Sequence, residues 1–135
     1  RLTPTIQKRY GILLNREPIK TTEWELETTV RITGKPAQGS DGIGIWYTQD
    51  LPTEGNLFGL TGSYDGVGIF LDSTVHNDNR VKIAATLNYG NTLVERSKAM
   101  GSYHNCDIAL RNDPNGLKLK IVYKSNTLYL DTFDT

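Results

Sequence analysis

Residues 41–50 read DGIGIWYTQD, and residues 65–74 read the closely similar DGVGIFLDST. Each stretch has an acidic residue, a glycine, one apolar residue, a second glycine and then a run of apolar and aromatic residues. A dinucleotide-binding loop needs a third glycine at the start of a helix, and Tyr47 stands where that glycine would be. The aromatic residues that follow favour extended chain. Both stretches are therefore predicted to be β-strands.

The alternating glycines leave one face of each predicted strand without side chains. Either another group packs closely against that face, or a ligand lies on it. An acidic residue at the rim of a bare, concave sheet suits a flat polar ligand such as a sugar. The alternative is that the glycines only permit curvature and that the acidic residues cap turns. In either case the two stretches are interpreted as neighbouring strands that meet the same packing requirement, and not as a duplicated unit.

Strand-like alternation of apolar and polar residues continues along the rest of the chain. A period of two, which places the apolar residues on one face of a strand, is found at residues 24–32, 81–85 and 117–121. A short polar turn between two apolar runs at 123–128 predicts a hairpin, whereas residues 91–100 predict a short helix or a long loop. Many short strands joined by turns predict an all-β fold, either an antiparallel sandwich or a barrel.

The composition of the chain excludes several classes of function. Fifteen basic and fifteen acidic residues cancel, so no charge excess favours nucleic acid or an anionic membrane surface. No apolar run approaches the roughly 20 residues of a membrane helix, so no membrane segment is expected in this chain. Neither His76 nor His104 has a nucleophile and an orienting acid at a spacing typical of a hydrolase. An enzyme is therefore not expected.

The loop after the second glycine stretch is rich in oxygen ligands. Asp72 is followed by STVHNDN, and carboxylates, side-chain amides and exposed carbonyls are what a hard cation such as calcium prefers. His76 lies in this loop and is a further candidate ligand. The alternative is a solvated polar loop, because the same residues are ordinary turn formers.

Six motifs that occur in one order identify a family resemblance. The chain resembles the L-type (legume-lectin-like) cargo lectins of the early secretory pathway, with a divergent, fungal-type member as the expected form. The motifs are RLTP at 1–4, WELETTVRI at 24–32, SDGIGIWYTQD at 40–50, GNLFG at 55–59, DGVGIFLDS at 65–73 and YKSNTLYL at 123–130. The resemblance implies an all-β, antiparallel two-sheet sandwich of the legume-lectin-like jelly-roll type. Residues 1–135 would form part of a single carbohydrate-recognition domain, incomplete at both ends.

The resemblance also implies a function and a location. Members of the family bind high-mannose N-glycans on glycoproteins and act in cargo transport between the endoplasmic reticulum and the Golgi. The chain is therefore expected in the lumen of the secretory pathway, as the luminal domain of a membrane-anchored protein. Any membrane anchor or oligomerisation segment would lie outside it.

Individual site residues follow from the resemblance, position by position. Asp41 matches the sugar-binding aspartate, and the Ser40–Asp41 peptide is a candidate cis bond. Asp72 matches a calcium-ligand aspartate, and Thr74 stands where the family offers a backbone carbonyl to the metal. Asn77 would both coordinate the metal and contact the sugar.

Three departures from the family pattern put the calcium site in doubt. Lys8 stands where the family has a sugar-contacting serine, Arg96 replaces a histidine, and Ala99 replaces a metal-ligand aspartate. The cofactor is accordingly expected to be Ca²⁺, a weaker or monovalent ion, or no metal at all. The hypothesis is that Arg96 pairs with Asp72 and partly replaces the metal, whereas the alternative is that Arg96 points to solvent.

Cys106 is the single cysteine of the chain. It could be a buried small apolar residue, or its disulfide partner could lie outside the chain. In the family a cysteine at this position pairs with another about forty residues downstream, so the resemblance implies the second reading.

Two further functions are kept as alternatives. The departures above are also compatible with a lectin-like domain that has lost sugar binding and serves as a protein-interaction scaffold. A carbohydrate-active enzyme would use Asp41 and Asp72 as a carboxylate pair, but both residues are better explained as ligands to sugar and metal.

Overall fold

The computed structural model describes residues 2–4, 6, 8–34, 41–74, 79–101 and 105–134. These residues form eight strands and one short helix. The elements are β1 (Trp24–Val30), β2 (Gly42–Thr48), β3 (Glu54–Leu57), β4 (Asp65–Asp72), β5 (Arg80–Tyr89), α1 (Arg96–Met100), β6 (Asn105–Ala109), β7 (Leu117–Lys124) and β8 (Thr127–Asp134). No helix in the described ranges is long and apolar enough to cross a membrane.

The strands form two antiparallel sheets, which confirms the predicted fold class. One sheet has the order β1-β7-β8, and the other has the order β2-β4-β5-β6. The predicted hairpin at 123–128 connects β7 to β8, with Ser125 and Asn126 in the left-handed region at φ 50° and 58°. Positive φ at both central residues is typical of a type I′ turn, whose twist matches that of the strands.

The two sheets pack face to face around a shared apolar core. The alternating residues predicted to lie on one face do so, and each sheet contributes its inward row. The buried members are Ile69 and Leu71 of β4, Val81 and Ile83 of β5, Leu110, and Leu117, Leu119 and Ile121 of β7, with Val30 of β1. Burial of these side chains stabilises the sandwich by roughly 1.5–3 kcal/mol each, before the opposing chain entropy is counted.

The other face of the four-stranded sheet carries the glycines and is not bare. In the register of β2 and β4, Gly44 lies opposite Phe70 and Gly68 lies opposite Trp46. A Cβ at Gly44 would approach Trp46 Nε1 to 2.7 Å, and one at Gly68 would approach Phe70 Cε2 to 3.0 Å. The aromatic ring two residues further along each strand therefore folds back over the glycine. The glycines make room for the protein's own rings, which is the close-packing alternative considered above.

These rings form the centre of a second apolar cluster on that face. Phe58 stacks on Phe70 with centroids 5.0 Å apart, and Trp46 meets Phe70 edge to face at 5.0 Å. Tyr64 contacts Trp46 edge to face at 4.9 Å. The cluster also contains Leu57, Ala84, Val94, Ala99 and Met100. We refer to it below as the aromatic cluster.

Cys106 lies on β6, opposite Ile83 of β5, and is exposed. The interpretation of Cys106 as a buried apolar residue is therefore wrong. Cys106 shares its face of the strand with Ile108 and Leu110, but it lies near the start of β6, which is the last strand of the four-stranded sheet, and Ile108 and Leu110 are the residues there that join the core. A disulfide to a cysteine further along the protein remains a prediction.

Candidate functional site

Asp41 and Asp72 lie side by side at the edge of the four-stranded sheet where β2 begins and β4 ends. Asp41 immediately precedes β2, Asp72 is the last residue of β4, and Gly42 is the register partner of Asp72. Gly42 has φ +122°, and a Cβ there would overlap the carbonyl of Leu71. Only glycine fits this close approach. The first glycine of the quoted stretch thus lets the chain enter β2 pressed against β4, which places Asp41 beside Asp72.

A hydrogen-bonded loop brings Arg96 to the same edge. Asn88, buried on β5, donates from its side-chain amide to the carbonyls of Gly62 at 3.2 Å and Thr92 at 2.8 Å. The Val94 amide donates to the same Gly62 carbonyl at 3.1 Å. These bonds fix the path of the chain just before α1. The helix then begins at Arg96 with its side chain directed at the two carboxylates.

The guanidinium of Arg96 bridges Asp41 and Asp72. Nε donates to Asp72 Oδ2 at 3.2 Å and Nη2 donates to Asp72 Oδ1 at 2.6 Å, so the pair is bidentate. Nη1 donates to Asp41 Oδ1, and Nη2 also reaches the main-chain carbonyl of Asp41 at 2.9 Å. Such charge-assisted forks are about twice as strong as neutral hydrogen bonds. The expected pairing of Arg96 with Asp72 is confirmed, and the alternative that Arg96 points to solvent is wrong.

Thr74 completes the hydrogen-bonding shell of Asp72. Its amide donates to Asp72 Oδ1 at 2.8 Å, its hydroxyl donates to the same oxygen, and that hydroxyl accepts from Arg96 Nη2. Asp72 therefore starts an Asx-type turn whose polar groups converge on one carboxylate. Asp72 and Thr74, the two predicted metal ligands that the structure describes, therefore lie together, and both contact Arg96.

An aromatic ring lies under the guanidinium. Arg96 Cζ is 4.8 Å from the centroid of the Phe58 ring, within the range of a cation–π interaction. Phe58 has φ 47° in the tight turn after β3, and its ring stacks on Phe70 of the aromatic cluster. Arg96 is thus held between an apolar floor and two carboxylates. Sequence reasoning did not identify Phe58, although the GNLFG motif marks the turn that carries it.

The electrostatics of the site keep both partners charged. Burial favours a higher pKa for Asp72, but hydrogen bonds from Arg96 and Thr74 outweigh it and hold the pKa below its ordinary value. Burial likewise favours a lower pKa for Arg96, but the Asp72 and Asp41 carboxylates raise it overall. The side chains are 16% exposed for Asp72, 28% for Arg96 and 77% for Asp41. The ion pair is therefore partly buried on its Asp72 side and open to solvent on its Asp41 side.

Several predicted residues lie outside the described part of the chain. Asn77 and His76 fall within residues 75–78, and Ser40, with its candidate cis peptide bond to Asp41, falls within 35–40. His104 falls within 102–104. The roles of Asn77 in sugar and metal binding therefore stay predictions.

The other two departures from the family pattern, Lys8 and Ala99, also lie in the described part of the chain. Lys8 is exposed in the segment before β1, with φ 57°. Ala99 is fully buried in the aromatic cluster, and its carbonyl accepts from the Thr86 hydroxyl at 3.4 Å. Position 99 therefore offers packing rather than a ligand.

The described residues do not fit a calcium ion in this arrangement. Calcium takes six to eight oxygen ligands, yet both carboxylate oxygens of Asp72 already accept from Arg96. Within the ranges given above, no group of three or more His, Cys, Asp or Glu side chains could hold a metal. The cation that these carboxylates do hold is a guanidinium.

Comparison with known sequences identifies the family. The sequence profile of the legume-like lectin family matches residues 1–134. Protein ERGIC-53 of Homo sapiens is 32% identical over 133 residues, covering 95% of this chain and 26% of the relative. The VIP36-like protein of Bos taurus is 35% identical over 97 residues, covering 67% of this chain and 28% of the relative. The chain thus spans about a quarter of the length of the curated relatives it matches.

Solved structures agree with the sequence comparison. The exoplasmic/lumenal domain of VIP36 in its metal-free form has a TM-score of 0.75 at 29% identity, covering 88% of this chain and 53% of that one. The Ca²⁺/Man3GlcNAc-bound form of the same domain has a TM-score of 0.74 at 25% identity, with the same coverage. The matched family is one of lectins, which agrees with the expectation that the chain is not an enzyme. Taken with the sandwich and the edge that Asp41 and Asp72 share, these matches show that the chain belongs to the legume-like lectin family.

Proposed function

We propose that this chain is a lectin domain that binds high-mannose N-glycans of glycoproteins, with Asp41 as a principal sugar contact. The observation that supports this most directly is the exposure and hydrogen bonding of the Asp41 carboxylate. Its side chain is 77% exposed, and Arg96 holds Oδ1 and the main-chain carbonyl. Among the described residues no group donates to Oδ2. One carboxylate oxygen is thus oriented by the protein while the other faces outward.

This arrangement suits the hydroxyl groups of a sugar. An ionised carboxylate only accepts hydrogen bonds, and charge-assisted bonds from sugar hydroxyls are stronger than neutral ones. A fixed carboxylate also loses less side-chain entropy on binding than a free one. Asn77 is proposed as a second sugar contact, because it follows Thr74 closely in the chain.

The comparisons support the choice of sugar and the location. VIP36, a structural neighbour at 25% identity, has been solved in Ca²⁺-bound forms with Man, Man2 and Man3GlcNAc. Those structures are of an exoplasmic/lumenal domain. By extension we place this domain in the lumen of the secretory pathway, with mannose-rich glycoprotein cargo moving between the endoplasmic reticulum and the Golgi as its partner.

A glycan array tests the proposal. The wild-type protein is expected to retain mannose-rich glycans, and Asp41→Asn is expected to weaken that binding by at least about tenfold, the equivalent of one charge-assisted hydrogen bond. Asp50→Asn is the matched control, since Asp50 is an exposed aspartate beyond the other end of β2. Unchanged mannose binding by Asp41→Asn would show that the site lies elsewhere.

A second candidate function is a protein-interaction scaffold without sugar binding. The observation that favours it is that Arg96 already occupies Oδ1 of Asp41. Folded wild-type protein that binds no glycan on the array, at high protein concentration and with Ca²⁺ present, would support the scaffold over the lectin.

A further inference from the structure

We infer that Arg96 is the resident cation of the edge shared by Asp41 and Asp72, so that this domain organises its sugar site without calcium. The inference deepens the proposed function, because it concerns the same carboxylate. It assigns to one side chain of the protein the structural part that an exogenous divalent ion plays in a metal-dependent site.

Among the described residues, Arg96 already binds the oxygens of Asp41 and Asp72 that a calcium ion at this position would need. Both oxygens of Asp72, one oxygen of Asp41 and the main-chain carbonyl of Asp41 accept from the guanidinium. The Thr74 hydroxyl accepts from it as well. A calcium ion at Asp72 would have to break both bonds of the bidentate pair, and it would then lie beside a positively charged group.

The floor of the site suits a flat organic cation and not a metal. The Phe58 ring lies 4.8 Å below Arg96 Cζ and supplies no oxygen. A planar, delocalised and weakly hydrated guanidinium stacks well on such a ring, whereas calcium needs oxygen ligands on all sides. On the helix side, Ala99 is buried among aromatic rings and supplies no carboxylate. Both neighbours of the site therefore select for the guanidinium.

Charge balance points the same way. Two carboxylates and one guanidinium leave one net negative charge, and that charge is concentrated on the exposed Asp41 side. Addition of a divalent cation would reverse the sign and bring it close to Arg96. The covalently attached cation also has no dissociation equilibrium, so the orientation of Asp41 does not depend on the free calcium concentration.

The first arm of the test measures calcium without any glycan. Isothermal titration of EDTA-treated wild-type protein with CaCl₂ is expected to show no binding up to about 1 mM, the weak end of the range for protein calcium sites. The midpoint of thermal unfolding is expected to be the same in EDTA and in Ca²⁺. Micromolar calcium binding, or a calcium-dependent rise in Tm, would overturn the inference.

The second arm removes the cation. Arg96→Met leaves two neighbouring carboxylates unpaired and is expected to lower Tm by about 5 °C. Arg31→Met is the matched control at an exposed arginine after β1 and is expected to leave Tm unchanged. Arg96→Lys keeps the charge but loses the planar fork, and it should fall between the two. If Arg96→Met does not fold, Arg96→Lys gives the comparison, and a Tm equal to wild type would contradict the inference.

The third arm separates this inference from the proposed function. Mannose-glycan binding is expected to be equal in EDTA and in Ca²⁺, and to weaken at least tenfold in Arg96→Lys. Glycan binding that EDTA abolishes would overturn the inference while leaving the lectin function intact. If no glycan binds under any condition but the first two arms come out as expected, the proposed function fails and the resident cation stands.

Discussion

Substitution of Gly68 by alanine tests the packing that the quoted motifs encode. A methyl group at this position would lie inside van der Waals distance of the Phe70 ring, 3.0 Å from Cε2 and 3.1 Å from Cε1. Phe70 is fully buried, and it is fixed between the stacked Phe58 ring and the edge-on Trp46 ring. The ring cannot move away without displacing both neighbours. The strain should therefore remain in the folded state.

The expected cost follows from two opposing effects. Overpacking of a well-filled core costs about 1–3 kcal/mol, and the rigid ring favours the upper end of that range. Replacing glycine by alanine in extended chain gains about 0.4–1 kcal/mol through the unfolded state. The net loss in the free energy of unfolding is therefore expected to be about 2 kcal/mol. Urea denaturation followed by tryptophan fluorescence measures it, because Trp46 lies in the affected cluster.

A double-mutant cycle supplies the decisive control. Phe70→Leu shortens the side chain that meets the new methyl group, so Gly68→Ala should cost at least 1 kcal/mol less in that background. If Gly68→Ala is neutral in the wild-type background, the ring does not depend on the glycine. If its cost is the same with leucine at position 70, the strain arises elsewhere. Either result would refute the account of the glycine face given above.

Two further predictions concern buried polar groups at the end of β4 and β5 opposite the Asp41–Asp72 pair. Asn88→Ala removes two buried hydrogen bonds, the one to the Thr92 carbonyl and one of the two to the Gly62 carbonyl, and is expected to lower the free energy of unfolding by about 2 kcal/mol. The exposed Asn56→Ala is the control in the same denaturation assay, and an unchanged midpoint for Asn88→Ala would mean that the loop before α1 does not need this anchor. Burial raises the pKa of Tyr64 to about 12 from 10.0, so the stability that depends on neutral Tyr64 is complete below pH 10 and is lost as the pH rises through 12. Between pH 8 and 11 the free energy of unfolding of the wild-type protein should therefore fall by about 1 kcal/mol more than that of Tyr64→Phe. Equal losses in the two proteins would assign alkaline unfolding to other groups.

Much of the sandwich could be predicted from the sequence, because the alternation of apolar and polar residues along a strand is a local property. The apolar residues at 24–32 and 117–121 predicted β1 and β7, and their inward rows contribute to the core, except that Leu26 of β1 is exposed. The exact end of β1 was not predictable in this way. The main-chain amide of Asn112 donates to the Ile32 carbonyl at 2.9 Å, and its side-chain Oδ1 accepts from the Gly34 amide at 2.9 Å. These contacts with a distant turn end the strand at Val30.

The site was only partly predictable, because it depends on pairing between distant segments. Asp41, Asp72 and Arg96 were each singled out, and the Arg96–Asp72 pair was anticipated on grounds of charge. The contact of Arg96 with Asp41 was not, since it requires the register of β2 against β4 and the position of α1 together. The floor formed by Phe58 was missed for the same reason.

The covering of the glycine face could have been predicted from spacing alone. Trp46 follows Gly44 by two residues and Phe70 follows Gly68 by two, so each ring lies on the same face of the strand as its glycine. The glycine pattern alone left open whether a ligand or another group of the protein covers that face, and the aromatic residue two positions after each glycine decides between them. In the structure each glycine packs under the aromatic ring two residues later, so the glycine and that ring belong together.

The register of β2 and β4 gives the two motifs a local symmetry. Ile45 and Ile69 occupy equivalent places in DGIGI and DGVGI and also pair directly with each other. An approximate two-fold axis therefore passes through that pair, perpendicular to the sheet, and exchanges the two glycine–aromatic units. The first residues of the two motifs, Asp41 and Asp65, consequently lie at opposite ends of the β2–β4 pair, and Arg96 lies at the end that carries Asp41. The likeness of the two strands belongs to the packing at their centre, and the proposed sugar site lies where that symmetry is broken by Arg96.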